Sequence, residues 1–293
     1  MSRYFIINFH AIRPERIRGI NPCTTATFLS QLNRFASESK IVSLHELWDA
    51  VLQQREDVFC AFTFDDGFKE HYEIVLPALR SRGVLGTFFP MGLILAEQKI
   101  PLTHKLQFLL SVLSAREIAD RLHNFFDKKY RVDDTIRLTQ KWRFDDVLTA
   151  NLKHILMHLS FDERSLFLDT LFNQRFGDER AMAEKYFLTT EEVKKIKDAG
   201  MEIGGHGYRH LGYDAMDTEG QRDDIFAGQK VLQDILGEPP AVFSYPHGRA
   251  TPETIEIMHD AGIAFGLSIE PRDIITEDNP LFLPRYDTND FSR

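Results

Sequence analysis

Val58-Phe59-Cys60-Ala61-Phe62-Thr63-Phe64-Asp65-Asp66-Gly67 is an apolar run closed by two adjacent carboxylates and a glycine. A continuous apolar stretch of this kind reads as a strand buried on both faces. In a barrel-like α/β fold the strand ends are where reacting groups converge. A buried strand rarely ends in two acids unless something cationic compensates them. The compensation appears downstream, in Ile203-Gly204-Gly205-His206-Gly207-Tyr208-Arg209-His210. Two imidazoles four residues apart can fall on one face of a helical turn and share a metal ion. One Asp with two His makes a three-ligand set with open positions for water, the design of a hydrolytic metal centre. An H-x-x-x-H alone also arises on ordinary helix surfaces; its weight here comes from the acidic strand end.

Outward from this strand, strand-like runs alternate with amphipathic segments. Tyr4 to Phe9 reads as a buried strand, and Thr24 to Ser37 and Ser43 to Gln54 have helical spacing. Lys69 to Arg82 reads as a helix stopped by Gly83, and Val84 to Met91 as the next strand. Thr189 and Glu192 form a capping box for a helix ending at Gly200, after which Met201 to Gly205 leads as a strand into the histidines. A helix near Thr218 to Leu236, a strand Ala241 to Tyr245, a helix opened by Thr251-Pro252 and a strand Ile263 to Ser268 follow. This rhythm predicts a parallel α/β sheet, open or closed. It breaks between Leu93 and Phe187, where the spacing is helical throughout.

At 293 residues the chain can form one large α/β domain. Its formal charge of −9 argues against a nucleic-acid partner held by general electrostatics. Two cysteines, Cys23 and Cys60, offer no disulfide framework. The start, Met1 to His10, is too short and too quickly polar for a secretory apolar region. No stretch approaches the roughly 18 apolar residues that cross a bilayer. These features predict a cytoplasmic protein without a transmembrane segment.

The T-F-D-D-G strand end, the later H-x-x-x-H and Phe243-Ser244-Tyr245-Pro246-His247-Gly248 together resemble the polysaccharide deacetylase family (carbohydrate esterase family 4, the NodB-homology domain). The likeness covers the start to about Gly92 and the chain from about Leu188 onward. It implies an irregular (β/α) barrel, a single deacetylase-like domain over 1–293 with its core in 1–92 and 188–293. Residues 93–187 are then a helical insertion, either a solubilising or dimerising elaboration or a substrate-binding lid.

The resemblance implies that Asp66, His206 and His210 hold one divalent metal, with zinc first and cobalt, manganese, iron or nickel as alternatives; otherwise both histidines are turn residues bonded to backbone. It makes Asp65 the general base, although an Asp there also suits a helix N-cap. In the family a backbone N–H of the proline turn supplies an oxyanion donor. The matching position is His247, whose imidazole can contact substrate or metal shell or simply sit half-exposed in the turn. Two departures stand out. The family's arginine at the start of that turn is replaced by Ser244, and its C-terminal leucine–histidine motif, home of the general acid, is missing. Family members with circularly permuted motifs begin with a strand ending in an aromatic residue and histidine, as in Phe9-His10. This makes His10 the expected acid, against a capped core histidine. Arg285, in Leu283-Pro284-Arg285-Tyr286-Asp287, is the candidate to replace the arginine, against an exposed surface residue.

The resemblance therefore implies a metal-dependent hydrolase removing an N-acyl group, most simply acetyl, from a nucleotide- or lipid-linked amino sugar of a surface polysaccharide or lipopolysaccharide precursor. Oligomerisation through the insertion is compatible with it. Hydrolysis of another non-peptide C–N bond, in a cyclic ureide or imide, is the alternative within the same chemistry. A catalytically silent carbohydrate-binding protein is the alternative outside it, and whether His10 reaches the site separates the two.

Overall fold

The computed structural model describes residues 2–14, 23–139 and 145–291. Among them the strands are, in chain order, β1 (Arg3–Phe9), β2 (Ile12–Arg13), β3 (Cys23–Thr24), β4 (Lys40–Ile41), β5 (Val58–Asp66), β6 (Thr87–Pro90), β7 (Glu202–Ile203), β8 (Val242–Ser244), β9 (Phe265–Leu267) and β10 (Tyr286–Asp287). The helices are α1 (Thr25–Glu38), α2 (Leu44–Leu52), α3 (Leu76–Arg80), α4 (Gly92–Glu97), α5 (Leu102–Val112), α6 (Ala115–Phe125), α7 (Val147–His158), α8 (Phe161–Phe176), α9 (Glu179–Tyr186), α10 (Thr190–Asp198), α11 (Thr218–Leu236) and α12 (Pro252–Asp260).

The main sheet runs β10-β1-β5-β6-β7, every pair parallel, with β4 beside the start of β5. β8 and β9 pair in parallel. Single bridges join Gly205 to Phe243 and Leu267 to Leu283, linking this pair to the chain after β7 and before β10. Strand pairing therefore returns to its starting point. The fold is an irregular (β/α) barrel, its last joints reduced to one bridge each.

Burial explains the closure. Along β1 and β5 successive side chains alternate between two apolar clusters. Ile6, Phe59 and Ala61 pack with Phe89, Val242, Leu267 and Leu283 in one of them. Phe5, Ile7, Phe9, Cys60, Phe62 and Phe64 pack with Phe28, Phe35 and Val193 in the other. The first set comes from strands all round the circuit, and the second meets the helices α1 and α10. Because both faces of β5 are covered, its sequence could not alternate polar and apolar.

Capping follows the sequence closely. Thr24 caps α1, Thr189 and Glu192 form the reciprocal box at α10, and Thr251 caps α12 ahead of Pro252. One expected helix differs. The stretch read from Lys69 to Arg82 opens with a π-helical turn, His71–Val75, before α3. Pro77 has no N–H for an ordinary bond to residue 73, and the Leu76 N–H instead reaches back five residues to the His71 carbonyl.

Residues Ile100–Met182 include a second compact unit. Its helices α5 to α8 bury Leu109, Ile118, Leu122, Leu152, Phe167 and Phe172. Lys105 is buried there between Asp169 at 2.6 Å and Glu179 at 2.8 Å. Asn151 donates to the carbonyls of Asp133 and Ile136 and accepts from the Leu138 N–H, tying the segment before α7 to that helix. No helix among the described residues is long and apolar enough to cross a membrane.

Candidate metal centre

β5 ends by breaking its own alternation. Asp65 is the last residue in the inward series Phe59, Ala61, Thr63 and is 2% exposed. Asp66 has φ 73, a left-handed conformation uncommon for a non-glycine residue, and Gly67 follows at φ 64. The reversal brings Asp66 Oδ1 to 3.3 Å from His206 Nε2 and 3.1 Å from His210 Nε2. One ligand atom from each of the three residues lies within 4.8 Å of the others, and all three residues are buried.

The histidines do not sit on a helical turn as their spacing suggests. They lie on a loop after β7, with Gly207 at φ 69 and His210 at φ 56. Gly204, Gly205 and Gly207 make this backbone possible: a Cβ at Gly204 would lie 2.3 Å from the Phe89 ring, and one at Gly205 2.8 Å from Phe243. His206 Nδ1–H donates to the Ser244 carbonyl at 2.7 Å, which leaves the Nε2 lone pair facing Asp66. Strained left-handed residues recur here, at Asp66, His210 and His247.

The donor set fits a small divalent cation. Tetrahedral ligands at about 2.1 Å from zinc stand roughly 3.4 Å apart, and both carboxylate–imidazole separations are close to that. Burial opposes a charged His206, yet Asp66 and Asp65 outweigh it and raise its pKa. Such a negative field suits a cation.

Asp65 stands beside this set, one of its oxygens, Oδ2, held by three donors and the other, Oδ1, by one. Arg285 binds it with both terminal nitrogens, Nη1 to Oδ1 at 3.0 Å and Nη2 to Oδ2 at 2.8 Å. Asn8 Nδ2 and Ser244 Oγ each donate to Oδ2 at 2.9 Å. Arg285 is itself fixed by the Ser268 carbonyl at 2.8 Å, by Ser244 Oγ at 2.8 Å and by Thr63 Oγ1 at 3.2 Å. Burial alone pushes the Asp65 carboxyl up, but Arg285, with His206 and His10 behind it, holds it well below the usual carboxylate range.

The structure thus brings Asp65, Asp66, His206, His210 and Arg285 together, and Arg285 is 1% exposed rather than a surface arginine. His247 occupies the proline turn at φ 59, its ring 4.7 Å from that of His210. His10 follows Phe9, which pairs with Phe64, so it leaves the sheet at the level of Asp65. Its ring is half-exposed, Nδ1 lies 4.0 Å from Asp287 Oδ2, and its carbonyl accepts from His71 Nε2 at 2.9 Å. His71 is buried, which lowers its pKa to about 4, so it is neutral near pH 7.

Two participants went unread in the sequence. Asn8 interrupts an otherwise apolar strand, a signal in hindsight. Ser244 marks the missing arginine, but its part in holding both Asp65 and Arg285 depends on strands far apart in sequence.

The pair Arg285–Asp65 has a measurable consequence. An Asp with a depressed pKa contributes stability that is present above its unfolded value near 4 and is lost as pH falls through the folded value. Arg285→Met removes the cation and leaves a buried carboxylate, an expected cost of about 3–5 kcal/mol at pH 7. The deficit should shrink toward pH 4, where Asp65 of the variant takes up a proton. Urea midpoints of both proteins at the two pH values measure it.

The polysaccharide deacetylase family model matches residues 142–266, which hold both histidines and the proline turn but not the T-F-D-D-G strand. The chain spans a third or less of the length of the curated relatives it matches, 33% of one and 29% of another. The peptidoglycan deacetylase of Helicobacter pylori is 29% identical over 84 residues, 29% of this chain and 29% of that one. Among solved structures, the deacetylase PplD of Streptococcus pyogenes in complex with acetate has a TM-score of 0.61 at 14% identity, covering 97% of this chain and 92% of its own. IcaB from Ammonifex degensii has a TM-score of 0.61 at 16% identity, covering 97% and 91%. At those identities the solved structures show the fold, the deacetylase-type barrel. Taken with the match over residues 142–266, they make this chain similar to polysaccharide deacetylases in fold and in the segment that carries the two histidines.

Proposed function

We propose that this chain is a metal-dependent hydrolase that removes an N-acetyl group from an amino sugar, a nucleotide- or lipid-linked precursor of a surface polysaccharide. One observation carries the reading: an Asp66–His206–His210 donor set next to a second carboxylate, Asp65, that is buried, ionised and held by Arg285. A carboxylate that only balanced the arginine would have no reason to adjoin three convergent ligands.

A divalent cation in that set supplies Lewis-acid polarisation of the acyl oxygen and makes water acidic enough to attack near neutral pH. The chain's own residues do the rest. Asp65 accepts the proton of the attacking water, with Arg285, Asn8 and Ser244 fixing its orientation. Arg285 favours the ionised form of Asp65, so the proton passes on to solvent and the base is regenerated. The water oxygen bonds the acyl carbon and the C–N bond breaks. His10 protonates the departing nitrogen, so the products are acetate and a free amine. A backbone N–H of the left-handed turn at His247 would serve the developing oxyanion, as in the family.

Acetate release across a panel tests the reading. The panel holds nucleotide-linked and lipid-linked N-acetyl amino sugars, free N-acetylglucosamine oligomers, and a hydantoin and a cyclic imide as controls. Turnover of an acetylated sugar is expected. Turnover confined to the ureide or imide would overturn the sugar assignment. No turnover of any compound by metal-loaded protein would overturn the enzymatic one.

A further inference from the structure

His206 and His210 lie on a loop, so helical bonding does not fix their separation. We infer that Asp224 is a positioning residue that pre-forms this loop for metal binding, an inference that rests on the metal centre proposed above. Asp224 comes from α11, and its side chain is 0% exposed. Oδ2 accepts from the Tyr208 N–H at 3.0 Å, and Oδ1 accepts from the Arg209 N–H at 3.0 Å. Arg209 Nε also donates to Oδ1 at 3.0 Å, and the Tyr213 hydroxyl donates to Oδ2 at 3.3 Å. One carboxylate therefore grips two consecutive backbone amides that lie between the histidines.

The other side of the loop is held as well. The Gly92 N–H donates to the Gly207 carbonyl at 3.0 Å, and the Leu93 N–H to the Tyr208 carbonyl at 2.8 Å. The loop thus sits between α4 and α11, and glycines make the fit possible. A Cβ on Gly92 would lie 2.9 Å from the Tyr208 ring, and one on Gly228 would lie 2.9 Å from the Gly207 carbonyl carbon. One on Gly207 would lie 2.7 Å from Asp224 Oδ2.

A buried carboxylate is costly unless charge-assisted bonds compensate it. Here the compensating bonds go to the ligand loop. Holding the loop before the cation arrives removes an ordering cost from binding, and outer partners of this kind typically change metal affinity 10- to 100-fold.

The test is calorimetric titration of Zn²⁺ into metal-stripped full-length protein, alongside amide hydrogen exchange at Tyr208 and Arg209. Asp224→Asn keeps the shape but sets an NH₂ group against a backbone N–H. Its Kd for Zn²⁺ is expected to weaken 10- to 100-fold, with faster exchange at both amides. Gly228→Ala pushes on the loop without changing charge, while alanine favours the helix that carries it. It should weaken Zn²⁺ binding too, and it decides alone if the Asn variant does not fold. A lowered melting temperature with unchanged Zn²⁺ affinity in the folded variants would overturn the inference and leave Asp224 a stability residue. A wild-type protein that takes up no Zn²⁺, Co²⁺, Mn²⁺ or Fe²⁺ would overturn the metal centre itself.

Discussion

His10→Ala is expected to lower turnover about 10²- to 10⁴-fold while metal content and melting temperature stay near those of the wild type. The imidazole is half-exposed at a strand end, so its removal leaves no large cavity, and the proposed metal ligands are on other elements. Protonating a departing sugar amine is the step it would serve, since such a nitrogen leaves poorly as an anion. A histidine with only a structural role behaves the other way: the melting temperature falls and turnover per folded molecule persists. Metal analysis, thermal melting and acetate release on one preparation separate the two. Near-normal turnover would retire His10 as the acid and move attention to His247, whose ring lies against His210.

Asp65→Asn is expected to cost a similar factor in turnover, about 10²- to 10⁴-fold, together with stability. The stability loss arises because Arg285 is 1% exposed and would be left without its anion, a situation that costs about 3–5 kcal/mol. Metal content should persist, because Asp66 rather than Asp65 faces the histidines. Turnover must therefore be compared per folded molecule, below the variant's melting transition. The depressed pKa of Asp65 adds a second check. The base stays ionised down through the ordinary carboxylate range, so the acid side of the wild-type pH profile should not titrate near 4. An acid limb at that pH, lost in Asp65→Asn, would contradict the arrangement.

Much of this was legible in the chain because local rules and the local environment agreed. β5 is buried on both faces, so its apolar run and its acidic end were both visible in sequence. The capping residues at Thr24, Thr189 and Thr251 satisfy orphan amides within their own first turns, and local signals of this sort survive folding. The histidine loop was misjudged because a spacing of four fits a helix as well as it fits a bent loop. The glycines at 204, 205 and 207 were the contrary signal: a Cβ at these positions would press on Phe89, Phe243 and Asp224, and Gly207 has φ 69, outside the helical region. Arg285 and Asp65 stand 220 residues apart, and only barrel closure brings them into contact. Ser244 and Asp224 belong to the same class. Each acts through a backbone group or a neighbour's side chain, which leaves no motif to read.

The most direct measurement is acetate release in ¹⁸O-labelled water by protein stripped of metal and then reloaded with Zn²⁺. The stripped protein is expected to be inactive, and reloading should restore acetate carrying a single ¹⁸O, with equal free amine appearing on the sugar. Acetate release at the same rate with and without metal would contradict the proposed centre at Asp66, His206 and His210.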